Sequence, residues 1–463
     1  MKTFSRSLLC FVLALGAARA TSAADPGVTL IGRGFVPGDA LDFSGLDGRQ
    51  ICSFDTPTNC IDEATLGGIG SAMTYTGHDG VFLAAPDRGP FDGRTNHPYA
   101  DRFDFLRLHL DPSAPFPNIR ATLLATRFLR NERGDDLVGS SSSFVGDGTN
   151  RQTRRFDPEG VRVSRHGTFF ISDEYGPFVF EFGRHGHLLR RIRIPEKFFI
   201  TSPSGDVDAD GNSLELYPSQ NAAGRQANRG MEGLAITPDG RWLVGIMQNA
   251  LIQDNGLNAA TPPGRRGLNN RIFAYDLWTG RSHEYVYPLD AINQGKGVNE
   301  ILALNSHEFL VLERDNRSLV PTPPNAAQTP NLKRIYRIDL AKPGLTDVSD
   351  VASLPATPAE LAALSIVPVT KTLFVDLLNP DYKVSATQTV KDVIAEKVEG
   401  LAWGPGLRDG RAVLYVTTDN DLFTGLPTQI YAFAIDTAAA GVRYEPQRLP
   451  VPLYPPGQVK KER

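Results

Sequence analysis

The sequence predicts an all-β protein, a β-propeller built from four-stranded antiparallel blades. Three observations carry that expectation. A unit recurs along the chain: a short polar entry, often Glu-Gly, then a strand of alternating apolar residues, a turn, and a second strand ending in acidic or amide residues. Third and fourth strands follow, and four antiparallel strands per repeat mark a blade. Gly (44) and Pro (34) are numerous and spread out, as many short strands joined by turns require.

The clearest copy opens Asn228-Arg229-Gly230-Met231-Glu232-Gly233-Leu234-Ala235 and ends Gln248-Asn249. Others open Asp157-Pro158-Glu159-Gly160, Val298-Asn299-Glu300-Ile301 and Lys397-Val398-Glu399-Gly400-Leu401. Their second strands end Ser172-Asp173-Glu174-Tyr175-Gly176, Glu313-Arg314-Asp315-Asn316 and Thr417-Thr418-Asp419-Asn420-Asp421. A degenerate first copy runs from Gly67 to Gly89 and contains Asp87-Arg88. Five units are counted, and a sixth stays open. Val28 to Phe35 is placed to complete the last blade, because Gly441 to Pro450 makes a weak fourth strand. A β-sandwich or β-helix is the competing fold, but a sandwich would not repeat the same acidic strand ends.

The N-terminus reads as a secretory signal peptide over residues 1–24: Lys2 and Arg6, an apolar run from Leu8 to Ala17, then small residues. Cleavage is placed after Ala24, with Ala20 and Ala23 as alternatives. Residues 25–463 form one propeller domain with long inter-blade loops, exported to the periplasm or the extracellular space. No later stretch is long and apolar enough to span a membrane. Cys52 and Cys60 are a close pair in a chain bound for an oxidising compartment, which favours a disulfide over two free thiols. The net charge of −4 and the lack of a basic block speak against nucleic acid. A monomer is expected.

These motifs resemble the "esterase-like activity of phytase" family. Asn228-Arg229-Gly230-Met231-Glu232-Gly233-Leu234-Ala235 is similar to its hallmark Asn-Arg-Gly-Phe-Glu-Gly-Leu-Ala, with Met for Phe. Asp157-Pro158-Glu159-Gly160, Ser172-Asp173-Glu174-Tyr175-Gly176-Pro177, Glu313-Arg314-Asp315 and Glu399-Gly400-Leu401 follow in the family's order, so the match runs from about Gly67 to Phe433. The resemblance implies an exported propeller named for phytase or esterase activity. It supplies no catalytic set.

First strands line a propeller's channel, so Glu159, Glu232, Glu300 and Glu399 are expected to face one another as the catalytic ring. The second-strand ends contribute Asp87, Asp173, Glu174, Gln248, Glu313, Asp315 and Asp419, and the carboxylates among them would add ligands. So many carboxylates repel unless neutralised, and hard oxygens from several blades suit Ca²⁺. The alternative is that each Glu accepts backbone N–H groups from the neighbouring blade. Asp206, Asp208 and Asp210 have the D-x-D-x-D-G spacing of a calcium loop, but Tyr217 stands at the twelfth position, and a polar surface turn fits equally. Arg88, Arg229 and Arg314 are placed to bind a phosphate, or else to neutralise a neighbouring carboxylate.

Two decoys fall away. Arg165-His166-Gly167 and Arg184-His185-Gly186 lack the x-Arg-x-Pro continuation of histidine acid phosphatases. There is no Gly-x-Ser-x-Gly elbow and no His-Glu-x-x-His. The expectation is a calcium-assisted hydrolase acting on a small ester or phosphoester. A non-catalytic exported binding propeller is the alternative.

Overall fold

The structure, a computed structural model, describes residues 25–139, 154–176, 178–199, 223–226, 228–258, 264–265, 267–290, 297–321, 326–385 and 393–454. Residues 1–24, where the signal peptide is expected, and the Asp206-Asp208-Asp210 segment lie outside the described residues.

Short apolar runs, buried along most of their length in the inner strands, build four-stranded antiparallel sheets, with little helix beyond Pro358–Ala363 among the described residues. The first unit is Ala72–Tyr75, Val81–Ala85, Arg102–Leu110 and Ile119–Phe128. The second is Pro158–Val163, Thr168–Asp173, Val179–Gly183 and Leu188–Arg191. The third is Met231–Ile236, Trp242–Met247, Asn269–Asp276 and Ser282–Pro288. The fourth is Gly297–Ala303, Glu308–Arg314, Lys333–Asp339 and Thr372–Asp376. The fifth joins Lys397–Trp403, Ala412–Asp419 and Thr428–Ile435 to the N-terminal strand Val28–Val36.

That last pairing runs from Val28 opposite Ile435 to Val36 opposite Thr428. The N-terminal strand thus completes the final blade. Its outer edge meets the first unit at one parallel pair, Gly34 with Ile119. The five innermost strands contact one another in turn, and the fifth touches the first. The fold is a β-propeller.

The apolar faces of successive blades form the core. Phe103 and Phe105 of the first blade pack with Phe169, Phe180 and Phe182 of the second, with ring centroids 4.8 Å apart between Phe103 and Phe169. Leu234 and Met231 of the third pack on Phe170 and Val179 of the second. Each such aromatic contact contributes about 0.5–1.5 kcal/mol beyond its buried area.

Gly441 to Pro450 forms no strand. It continues instead across the face where the innermost strands end, and it touches every blade. Tyr444 packs on Trp403, Glu445 N–H donates to Leu304 O, and Arg448 N–H donates to Pro238 O. Gln447 Nε2 donates to Val163 O, and Leu453 N–H to Thr76 O. The channel is covered on that side, and the acidic strand ends lie at the opposite mouth.

Candidate functional site

The innermost strands skip one residue as they pair with their neighbours. The register slips between Met231 and Gly233, between Val298 and Glu300, and between Val398 and Gly400. The second blade slips between Pro158 and Val161. A bulge of this kind releases one residue from the ladder and re-aims its side chain. Here the released residues are Glu232, Asn299, Glu399 and the Glu159-Gly160 pair. The glycines after the glutamates permit close approach of the next blade: a Cβ on Gly233 would lie 2.7 Å from Ile301 N.

The ring is therefore Ser71, Glu159, Glu232, Asn299 and Glu399. Ser71 Oγ lies 3.3 Å from Glu159 Oε2 and 3.2 Å from Glu399 Oε2. Asn299 Nδ2 donates to Glu232 Oε1 at 2.8 Å and to Glu399 Oε1 at 3.4 Å.

Glu300 does not belong to this ring. It occupies the glycine position of its motif, one residue on, and a one-residue step turns a side chain to the other face. Glu300 Oε1 accepts Leu234 N–H at 3.0 Å and Ile301 N–H at 2.9 Å, and its Oε2 pairs with Arg162 at 2.8 Å. The alternative of a glutamate serving the neighbouring blade's backbone applies to this residue.

The ring floors a cavity of about 610 Å³. Seven acidic residues line it (Asp87, Glu159, Glu174, Glu232, Glu396, Glu399, Asp421) against four basic ones, Arg88, Arg229, Arg314 and Lys397. Three of the cations are committed. Arg88 contacts Asp157 at 3.0 Å and Glu174 at 3.4 Å. Arg314 meets Glu399 at 2.5 Å, and Lys397 meets Asp419 at 3.0 Å as well as Asp421. Arg229 makes no side-chain hydrogen bond or ion pair among the described residues, and its Nε is unpartnered. Asn228 before it adopts a left-handed φ of 53°, as do Asp421 and Leu422 at 52° across the mouth. Such conformations in non-glycine residues concentrate at functional sites.

Burial pushes the Glu159 carboxyl well above the usual range, and Glu232 and Asp157 add to it. Burial does the same to Glu232, helped by Glu174 and Glu399, with Gln248 and Arg229 opposing. Asp87 is raised by burial and then by Asp419, against Lys397 and Arg88. Glu232 Oε2 and Gln248 Oε1 have no partner.

Among the described residues, two groups of three carboxylates bring oxygens within 4.8 Å of one another: Asp87, Asp419 and Asp421, and Asp157, Glu159 and Glu174. The other sequence candidates are tied up elsewhere. Asp173 accepts N–H groups of Asp157, Tyr175 and Gly176. Glu313 binds Tyr287 Oη and Lys371 Nζ, each at 2.6 Å. Asp315 binds Lys333 and the N–H groups of Asn331 and Leu332. None of these three lines the cavity. The Cys52–Cys60 disulfide is present, with Cα atoms 4.0 Å apart, and Asn59, Cys60 and Ile61 edge the mouth.

Sequence reasoning missed Ser71, Asn299, Lys397 and Asp421. Matching Val298 to Val398 and Ile301 to Leu401 would have placed Asn299, not Glu300, opposite Glu399. Among the described residues no helix is long and apolar enough to cross a membrane.

An "uncharacterized secreted protein" of Arthroderma benhamiae is 30% identical over 324 residues, which span 57% of this chain and 62% of that protein. Among solved structures, the β-propeller domain of Myceliophteria thermophila Cps50 (Swd1) aligns over 80% of this chain and 97% of that one, at 11% identity and a TM-score of 0.31. Streptogramin B lyase aligns over 80% and 94%, at 11% identity and a TM-score of 0.29. The phytase-like family, described as "esterase-like activity of phytase", matches residues 64–422. With that span covering most of the chain, this protein belongs to the phytase-like family.

Proposed function

We propose that this protein is an exported hydrolase that cleaves an ester or phosphoester in the cavity at the acidic mouth of the propeller. One observation carries the reading: Glu159, Glu232 and Glu399 converge on one cavity of about 610 Å³ that also holds Arg88, Arg229, Arg314 and Lys397. The leader-like N-terminus, the disulfide and the secreted relative support export.

The two carboxyls bridged by Asn299 have different surroundings, which suits general acid–base work. Glu232, raised by burial, is placed to carry a proton to the leaving group. Glu399, held by Arg314 and Ser71, is placed to take one from water.

For calcium, the two acidic groups differ. Lys397 already sits among Asp87, Asp419 and Asp421, so that group does not fit an added ion. Glu159, beside the Ser71 hydroxyl, and Glu174 offer hard oxygens and carry repulsion that Arg88, bonded to Glu174, only partly offsets, and they fit one. Bound there, calcium would polarise the ester and offset negative charge.

The test is turnover of carboxylic esters, lactones and phosphomonoesters by the mature protein, with calcium and with chelator. Turnover of one class, reduced by chelator, is expected. Ligand binding without any turnover would make the protein a binding propeller instead.

A further inference from the structure

The cavity has two unlike sides. Among the described residues its apolar lining, Cys60, Ile61, Pro90, Phe91, Leu422 and Phe423, comes from the neighbouring first and fifth blades and from the disulfide ribbon packed on them. The second, third and fourth blades contribute only carboxylates, amides and guanidinium groups. Resting on the reading of this cavity as the substrate site, we infer that its substrate is an ester carrying an apolar group of several carbons, which lies against Phe91 and Phe423 while the ester faces the carboxylate ring.

Two rings stand apart from the core. Leu422 and Ile61 pack with Ile51 and Tyr99 in a small buried cluster. Phe91 and Phe423 join none of the hydrophobic clusters among the described residues. Phe423 is 40% exposed and Phe91 is half-buried, and both line the cavity. Covering apolar surface is favourable, so a ligand gains by bringing an alkyl or aryl group to them.

The backbone under both rings is fixed. Phe91 adopts a left-handed φ of 59°, which is strained for a bulky side chain. Its turn is closed by Gly93 N–H on Pro90 O at 3.3 Å and Arg94 N–H on Phe91 O at 2.9 Å. Leu422, at a φ of 52°, precedes Phe423 in a turn that Asn420 pins at two points. Asn420 Oδ1 accepts Gly68 N–H at 2.7 Å, and its Nδ2 donates to Leu426 O at 2.8 Å. Lys397 holds Asp421 of the same turn. Strain of this kind gathers at ligand sites, and a wall ordered in advance loses little freedom on binding. The volume of about 610 Å³ suits a small organic ligand. A phosphorylated polyol has no group to place on this wall, whereas an alkyl or aryl ester does.

Methyl ketones mimic an ester without a bond that hydrolysis can cleave. Titration of the mature protein with 2-butanone, 2-hexanone and 2-octanone, followed by ligand-observed NMR, tests the wall without turnover. Affinity should rise about two- to fourfold per added methylene. Phe91→Asn and Phe423→Ser should each flatten that rise and leave 2-butanone binding nearly unchanged. Asparagine tolerates a left-handed φ, so Phe91→Asn should keep or raise the melting temperature, and its lost affinity is then lost contact. Affinity that does not grow with chain length, or that grows equally in both variants, would overturn the inference. Comparing kcat/KM for methyl esters of longer acids with that for acetate esters of longer alcohols then tells which side of the ester lies on the wall. A chain-length rise in binding without any turnover would leave the inference standing and remove only the hydrolase reading. Turnover indifferent to chain length would do the reverse.

Discussion

Arg162 of the second blade reaches across the propeller axis to Glu300 of the fourth, Nη2 to Oε2 at 2.8 Å. The same guanidinium donates to Ile301 O at 2.9 Å and Met73 O at 3.3 Å. Glu300 also accepts the third blade's Leu234 N–H. One buried ion pair thus ties four blades together beneath the carboxylate ring. Its job is architectural, and it separates the cavity from the face covered by the C-terminal segment.

Removing half of a buried pair leaves an uncompensated charge, at a cost of about 3–5 kcal/mol. Arg162→Met should show a loss of that order by chemical denaturation at pH 8. Burial already pushes Glu300 up to about 7 despite Arg162, so at pH 5 it takes a proton and the loss should shrink. Arg162→Met with Glu300→Leu should recover most of the stability. An equal loss at both pH values would contradict this account.

Glu232→Gln and Glu399→Gln keep size and hydrogen bonding but remove the ability to exchange a proton. Each should lower turnover by about 10²–10⁴-fold; melting temperature should stay nearly unchanged for Glu232→Gln and fall for Glu399→Gln, which leaves the buried Arg314 guanidinium without its carboxylate. Glu300→Gln should do the opposite and shift melting before it shifts turnover. Activity and melting measured on all three decide between the roles; full activity in both ring variants would take the ring out of the mechanism.

Stability in chelator should pass through a minimum near neutral pH. Burial pushes Asp104 and Glu300 up to about 7 and Asp173 up to about 6. These carboxyls hold protons more tightly folded than unfolded. Raising the pH from 5 to 7 therefore favours the unfolded chain. Lys333 runs the other way: burial pushes it down to about 7, so above that value the unfolded chain binds the extra proton and stability recovers as pH rises. Scanning calorimetry at pH 5, 7 and 9 checks the curve, and a melting temperature that climbs from pH 5 to 7 would refute it.

The Cys52–Cys60 bond closes a short ribbon, Gln50–Cys52 against Cys60–Asp62, outside the blades. Closing so short a loop contributes about 2–3 kcal/mol, and its effect should stay local. Thiol titration of denatured, unreduced protein should find no free cysteine. Reduction should speed proteolysis within residues 53–59 while the blades keep their melting temperature. Loss of the whole fold on reduction would show that the ribbon supports more than the cavity rim.

Much of the fold was legible because short apolar runs bounded by turn residues recur in sequence. Met231 to Ile236 and Trp242 to Met247 are such runs, buried along nearly their whole length, and their copies recur. The site was legible in part. Glu159, Glu232 and Glu399 share a Glu-Gly signature, but the bulge that aims them has none, so Glu300 looked equivalent while Asn299 did not. Ion-pair partners such as Arg162 with Glu300, and Lys371 with Glu313, lie far apart in sequence. No local pattern marks them, and so Glu313 and Asp315 looked like available ligands.

The pairing of Val28–Val36 with Thr428–Ile435 also sets a constraint on timing. A chain made from its N-terminus produces one half of this ladder first and the other half almost last. Until then the early strand has no partner, and the exposed edge of the late one is a template for wrong pairing. Contacts of such long sequence separation slow folding. During that interval the chain depends on remaining unaggregated. Once the ladder forms, the ring has no free first or last blade from which to fray, so opening it means breaking a whole strand pairing at once.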